Sequence, residues 1–166
     1  MAKKEDFTAD EWKLLLDVPP AVGNAVMFAG RSGLGSVAEA MAMASEIFAA
    51  RHGYDGIELI QSLSDARTKG REKSEIETLK SPYRSLSDSE ILADAVDKCR
   101  QVSGLLAEKS SPDETEAFID WTISVAEKVA NAAKEGGFLG IIGGQRVSDE
   151  EANVLNKVKE ALHANA

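Results

Sequence analysis

Apolar residues recur along most of this chain at steps of three and four, the spacing that lines one face of an α-helix. Ile91, Leu92, Ala95, Val96, Cys99, Val102 and Leu106 make one such stripe. Phe118, Trp121, Val125, Val129 and Ala132 make a second. Val154, Leu155, Val158 and Leu162 make a third, and Val37, Ala40, Met41, Ala44, Ile47 and Phe48 a fourth. Ile57, Leu59, Ile60 and Leu63 predict a shorter helix behind Asp55 as its cap. Trp12, Leu15 and Leu16 begin the chain's first helix. Pro19 and Pro20 are expected to break it, because proline lacks the amide donor and crowds the preceding turn. A new helix then restarts at Pro20 through Val22, Val26 and Ala29.

Helix starts are written just ahead of the stripes. In a capping box, a Ser or Thr side chain accepts from the amide three residues on, and a Glu there reaches back to the cap's own amide. The pairs Thr8 and Glu11, Ser36 and Glu39, Ser87 and Glu90, Ser111 and Glu114, and Ser148 and Glu151 all match, with Ser74 and Glu77 a weaker sixth. Pro112 also occupies a first helical position, where its missing N–H costs nothing. FLGII, residues 138–142, is the one strand-like run, and it is short. The pattern predicts an all-α bundle of six to seven helices, four of them in the main bundle.

The halves echo each other. Trp12 precedes Val22-Gly23-Asn24-Ala25, a glycine-rich corner and the cap Ser36; Trp121 precedes Val129-Ala130-Asn131-Ala132, a second glycine-rich corner and the cap Ser148. The spacing from Trp to cap is 24 residues in one half and 27 in the other. Two pseudo-symmetric hairpins would bring Asn24 and Asn131 together across a twofold, with the helix after Ser87 as an additional or bridging element. Residues 1–166 read as a single domain. The stretch from about 67 to 86 reads as a mobile linker, and it holds the one concentrated basic segment, Arg67, Lys69, Arg71 and Lys73.

The stretches FTADEWKLLLDVPPAVGNAVMFA and GGFLGIIGGQRVSDEEANVLNKVKEAL resemble a group of small, all-helical bacterial proteins without assigned activity. Those proteins pair an "EEW…L…P" helix start with a "FLG…GGxRVS…E" helix start. This chain departs from them in its double proline. The resemblance implies a helical fold and a bacterial cytoplasmic setting, and no catalytic residues.

Composition narrows the chemistry. At 166 residues the chain is long enough for one sizeable core. Its net charge of −9 disfavours a polyanionic partner, so no nucleic acid is expected. No apolar run is long enough to span a membrane, and Lys3 and Lys4 are followed by charge rather than by a signal sequence. Cys99 is alone, so no internal disulfide forms.

Two loops carry the candidate binding residues. GRSGLGS (30–36) places Arg31, Ser32, Gly33 and Gly35 ahead of the helix start at Ser36. GGQRVS (143–148) places Gln145 and Arg146 ahead of Ser148. Neither matches a P-loop or a dinucleotide fingerprint, since no strand precedes either loop and no lysine follows Gly35. The generic possibility is that helix-start amides and an arginine fork hold a small anion. The alternative is a plain corner between helices. Glu160 and His163 match a Glu-x-x-His metal motif once, with no inward partner, so no metal and no cofactor is expected. Cys99, His52 and Asp120 make no nucleophilic set. Met41 falls on the core stripe and Met43 off it, and Met27, Phe28 and Met43 would form a docking patch if exposed. The chain therefore reads as a non-catalytic interaction or scaffold protein that self-associates and meets an unknown protein partner. The alternative is a small-molecule or anion binder using the Gly/Arg loops.

Overall fold

The computed structural model describes residues 2–29, 36–69, 83, 85–135 and 149–165. Among them are six α-helices, a short 3₁₀ turn at Lys4–Asp6 and no strand: an all-α bundle. The helices are α1 (Ala9–Ala29), α2 (Ser36–Gly53), α3 (Glu58–Lys69), α4 (Asp88–Lys109), α5 (Pro112–Glu135) and α6 (Asp149–Leu162). FLGII, the pair Ser74 and Glu77, and most of the expected linker lie outside the described residues. At the linker's edges, α3 runs on to Lys69 and Tyr83 is buried.

The capping boxes form where they can be followed. The Thr8 amide donates to Glu11 Oε2 at 2.7 Å, and the Glu11 amide returns to Thr8 Oγ1 at 3.3 Å. Ser87 and Glu90 do the same at 2.8 and 3.4 Å, and Ser111 and Glu114 at 3.1 and 3.4 Å. Each of these three helices thus begins with two of its orphan amides satisfied. Phe7 and Trp12 add a hydrophobic staple across the first cap, their ring centroids 5.9 Å apart. Asp55 is not the cap of α3. The chain turns at Gly56, whose φ of 86° suits glycine, and the Ile57 carbonyl takes the first helical bond, from the Gln61 amide at 3.2 Å.

The proline pair does not break α1, which runs unbroken through both residues. Pro19 and Pro20 leave the carbonyls of Leu15 and Leu16 without their intrahelical donors. The Leu16 carbonyl accepts instead from the guanidinium of Arg67 on α3. Two turns later the Asn24 side chain donates to the Pro20 carbonyl at 2.7 Å. Every residue from Val18 to Met27 is buried. α1 is thus the central rod of the bundle, packed against α4 and α5 and touched by α2 and α6. Tertiary packing and one arginine outweigh the local preference against helix. Gly23 is the closest approach: a Cβ there would lie 3.0 Å from Met43 Cγ and 3.4 Å from Val125 Cγ1.

The echo between the halves does not extend to packing. α2 lies chiefly along α5, whereas α6, its counterpart, lies chiefly on α4 and only secondarily on α1. Asn24 is buried and Asn131 exposed, so the two positions are not equivalent. α4 packs on α1 of the first half and on α6 of the second, so it touches both.

The N-terminal segment is stapled across the corner where α4 ends and α5 starts. The Ala2 amide donates to the buried Glu114 carboxylate at 2.8 Å. Lys109 reaches Glu11 at 2.7 Å and sits 5.8 Å over the Phe7 ring.

Candidate functional site

Of the residues expected to bind an anion, Arg31, Ser32, Gly33, Gly35, Gln145, Arg146 and Ser148 lie outside the described residues. Ser36 opens α2, and its side chain lies outside them as well. What can be built is the surface that follows Ser36.

The buried face of α2 differs from the expected stripe. Ala40, Met43, Ile47 and Ala50 are buried, and Met41 is exposed. At 100° per residue this turns the stripe by roughly a quarter of a turn. The exchange of Met41 for Met43 has a simple cause. Gly23 on α1 leaves a gap, and Met43 fills it from one side while Val125 of α5 closes it from the other. Met27 and Met43 are buried and Phe28 half-buried, so these three residues pack inward and form no docking patch.

A different patch takes its place. The exposed residues of α2 whose side chains are described are Ala38, Met41, Ser45, Ala49 and His52, besides Gly53. They recur at helical spacing and fill one narrow face, with Ala42 beside them and Phe48 half-buried at its edge. None is an acid, a lysine or an arginine. Every other long helix presents charge outward: Asp97 and Arg100 on α4, Glu116, Asp120 and Lys128 on α5, Glu150 and Lys157 on α6. Met41 keeps 58% of its surface exposed, and the only other exposed large apolar residue among those described is Leu86, at 38%. The charge next to this face, Glu46, is turned inward, where it accepts from Ser124 Oγ of α5 at 2.9 Å.

Among the described residues no catalytic set assembles around it. Cys99 is sealed in the core and burial pushes its thiol up to about 12, so it carries no reactive thiolate at neutral pH. Burial, helped by the charge of Asp94, likewise raises the Tyr83 phenol. His52 and His163 are both exposed and sit on α2 and beyond α6. His163 Nδ1 lies 2.8 Å from the Lys159 carbonyl, and Glu160 is exposed beside it. Among the described residues no group of three His, Cys, Asp or Glu is placed to hold a metal. None of their helices is long and apolar enough to cross a membrane. A neutral, small-residue helix face can do one thing well, which is to pack against another helix.

The signal for this face was present in the sequence, in the lack of charge at positions 38, 41, 42, 45 and 49. An alanine-rich helix offers so little contrast around its circumference that the phase of its buried side could not be fixed. Comparison with known proteins adds no relative: no family model, no curated protein and no solved structure matches the chain.

Proposed function

We propose that this chain is a non-catalytic interaction protein of the bacterial cytoplasm that self-associates, α2 of one copy lying on α2 of another. The observation that carries the reading is the uncharged outer face of α2 with Met41 exposed at its middle. The occupant follows from charge. Each copy carries −9, so two copies brought together through most of their surface would press carboxylates against carboxylates. The α2 face is where they can meet without that repulsion. A twofold contact places the same patch on both sides, and so requires a self-complementary one. Alanines and serine at 38, 42, 45 and 49 let helix axes come close, and Met41 is a flexible knob for the partner's shallow groove. The resemblance of both ends of the chain to small helical bacterial proteins supports the cytoplasmic setting.

Sedimentation velocity on the gently purified full chain, beside its M41E and A49E variants, tests this. The expected result is a wild-type dimer at micromolar concentration and monomeric variants with unchanged helical content by circular dichroism. A wild type that stays monomeric at several hundred micromolar, or variants that remain dimeric, would overturn the reading.

A further inference from the structure

A second feature lies far from α2 and carries charge instead of lacking it. A cleft of about 530 Å³ opens where α4 gives way to α5, closed on its far side by the residues that follow α6. Such a volume falls in the usual range for small-ligand sites, roughly 300–1,000 Å³. Ile119, buried, contributes an apolar floor. Glu116 and Asp120, one turn apart on α5, line it, and so do His163 and Asn165 from the wall that follows α6. That wall is anchored, for the Asn165 amide donates to Ser103 Oγ at 2.9 Å.

The cleft is rich in acceptors. Among the described residues its lining includes two carboxylates and no lysine or arginine. A carbonyl can only accept, so the His163 Nδ1 that lies 2.8 Å from the Lys159 carbonyl is the donor, and in the neutral imidazole Nε2 is an acceptor. The hydroxyl of Ser110, another lining residue, is buried with no hydrogen-bond partner among the described residues. Helix architecture explains only part of this. Acids in the first turn of α5 answer the helix dipole, and Asp113 and Glu114 serve there. Asp120 lies two turns further on, beyond the dipole's reach. Like charges four residues apart on a helix repel, so Glu116 and Asp120 are a cost that a bound cation would relieve.

We infer that this cleft binds an alkylammonium group: the carboxylates of Glu116 and Asp120 and Nε2 of His163 take its N–H donors, and Ile119 supports its methylenes. An ammonium brings three donors and no acceptor, the complement of what the walls offer. The group can come from a free amine or from a lysine side chain of another protein, and the two share this chemistry.

The test is a titration of the ¹⁵N-labelled full chain, followed by amide shifts, with 1,5-diaminopentane, with the tripeptide Gly-Lys-Gly and with 1-pentanol as the uncharged control. Saturable shifts confined to the amides near Glu116, Asp120 and His163–Asn165, with no response to pentanol, are expected. The double variant E116Q/D120N changes two exposed side chains, so its remaining spectrum should be preserved and its affinity should fall at least tenfold. A response to the diamine marks the site as one for free amines. A response to the tripeptide alone marks it as one for protein lysines. Shifts spread equally over Asp97, Glu108 and Glu127, shifts that persist in the double variant, or no response to either cation would overturn the inference.

Discussion

An uncharged stretch of α1 and an uncharged face of α2 meet opposite fates. From Val18 to Met27 α1 has no charged residue, and every one of those residues is buried. The outer face of α2 is equally free of charge and is exposed at Ala38, Met41, Ser45, Ala49 and His52. Both are built of small and apolar side chains. What separates them is the number of neighbours. α1 is covered by α4, α5, α6 and α2, whereas α2 rests its inner side on α5, α3 and α1 and leaves the face from Ala38 to His52 exposed. An uncharged helix face therefore signals a contact, and the fold decides whether that contact is made within the chain or left for another copy.

The sharpest way to break this comparison is to place the same charge in both stretches. Ala25→Glu puts a carboxylate into the middle of α1, where the alanine is 3% exposed. An unpaired buried charge costs about 3–5 kcal/mol, a large share of the roughly 5–15 kcal/mol that holds a typical domain together. The variant should be largely unfolded or strongly destabilised in urea. Ala49→Glu is the same chemical change on an exposed face and should move stability by no more than about 0.5 kcal/mol. Equal urea midpoints for the two variants would mean that α1 is not sealed. A large loss in Ala49→Glu under conditions where the wild type is monomeric would mean that the α2 face is covered within the chain.

The helices themselves were legible. The repeated Ser/Thr-x-x-Glu pairs mark starts, and the stripes on α4, α5 and α6 point inward as their spacing requires, because charged residues alternate with apolar ones and fix the phase. Three things were not legible, and each depends on a distant residue. The proline pair reads as a break because local chemistry sees the lost donors at 19 and 20 and cannot see Arg67 arriving from α3 to serve the Leu16 carbonyl. The phase of α2 depends on the gap over Gly23. The cleft beside Asp120 is made by His163 and Asn165, more than forty residues further along the chain. The loops singled out as candidate binding residues, from Arg31 to Ser36 and from Gln145 to Ser148, lie outside the described residues apart from the Ser36 backbone.

The continuity of α1 can be tested at its weakest place. Removing Arg67 leaves the Leu16 carbonyl without the guanidinium that answers for the missing Pro20 donor. Arg67→Ala should cost about 1–3 kcal/mol, the usual consequence of stranding a polar group inside a fold. Pro20→Ala restores an amide that can donate to the same carbonyl within the helix. In that background the cost of Arg67→Ala should shrink, and a double-mutant cycle measured by urea unfolding reads the coupling directly. Additive effects would show that Arg67 stabilises α3 for some other reason and that α1 tolerates its prolines by packing alone.

The smallest effect tests how well the interior is sealed, and it appears only in alkali. Burial raises the Cys99 thiol from its ordinary value near 9 up to about 12. Above pH 9 the unfolded chain therefore releases a proton that the folded chain retains. The unfolded state binds fewer protons, and stability must fall as pH rises, by at most about 1.4 kcal/mol per pH unit from this one group. Tyr83, also raised, adds a loss of the same sign once tyrosines begin to ionise above about pH 10. The clean window for the thiol is thus pH 9 to 10. Urea midpoints at pH 8 and pH 10 should drop further for the wild type than for Cys99→Ala, whatever the variant loses at pH 8 from its smaller side chain. Exposed groups, including the exposed His52 on the outer face of α2, are common to both proteins and cancel in the difference. Equal drops would mean that water reaches the inward face of α4, and the contrast between a sealed interior and one open helix face would then have to be given up.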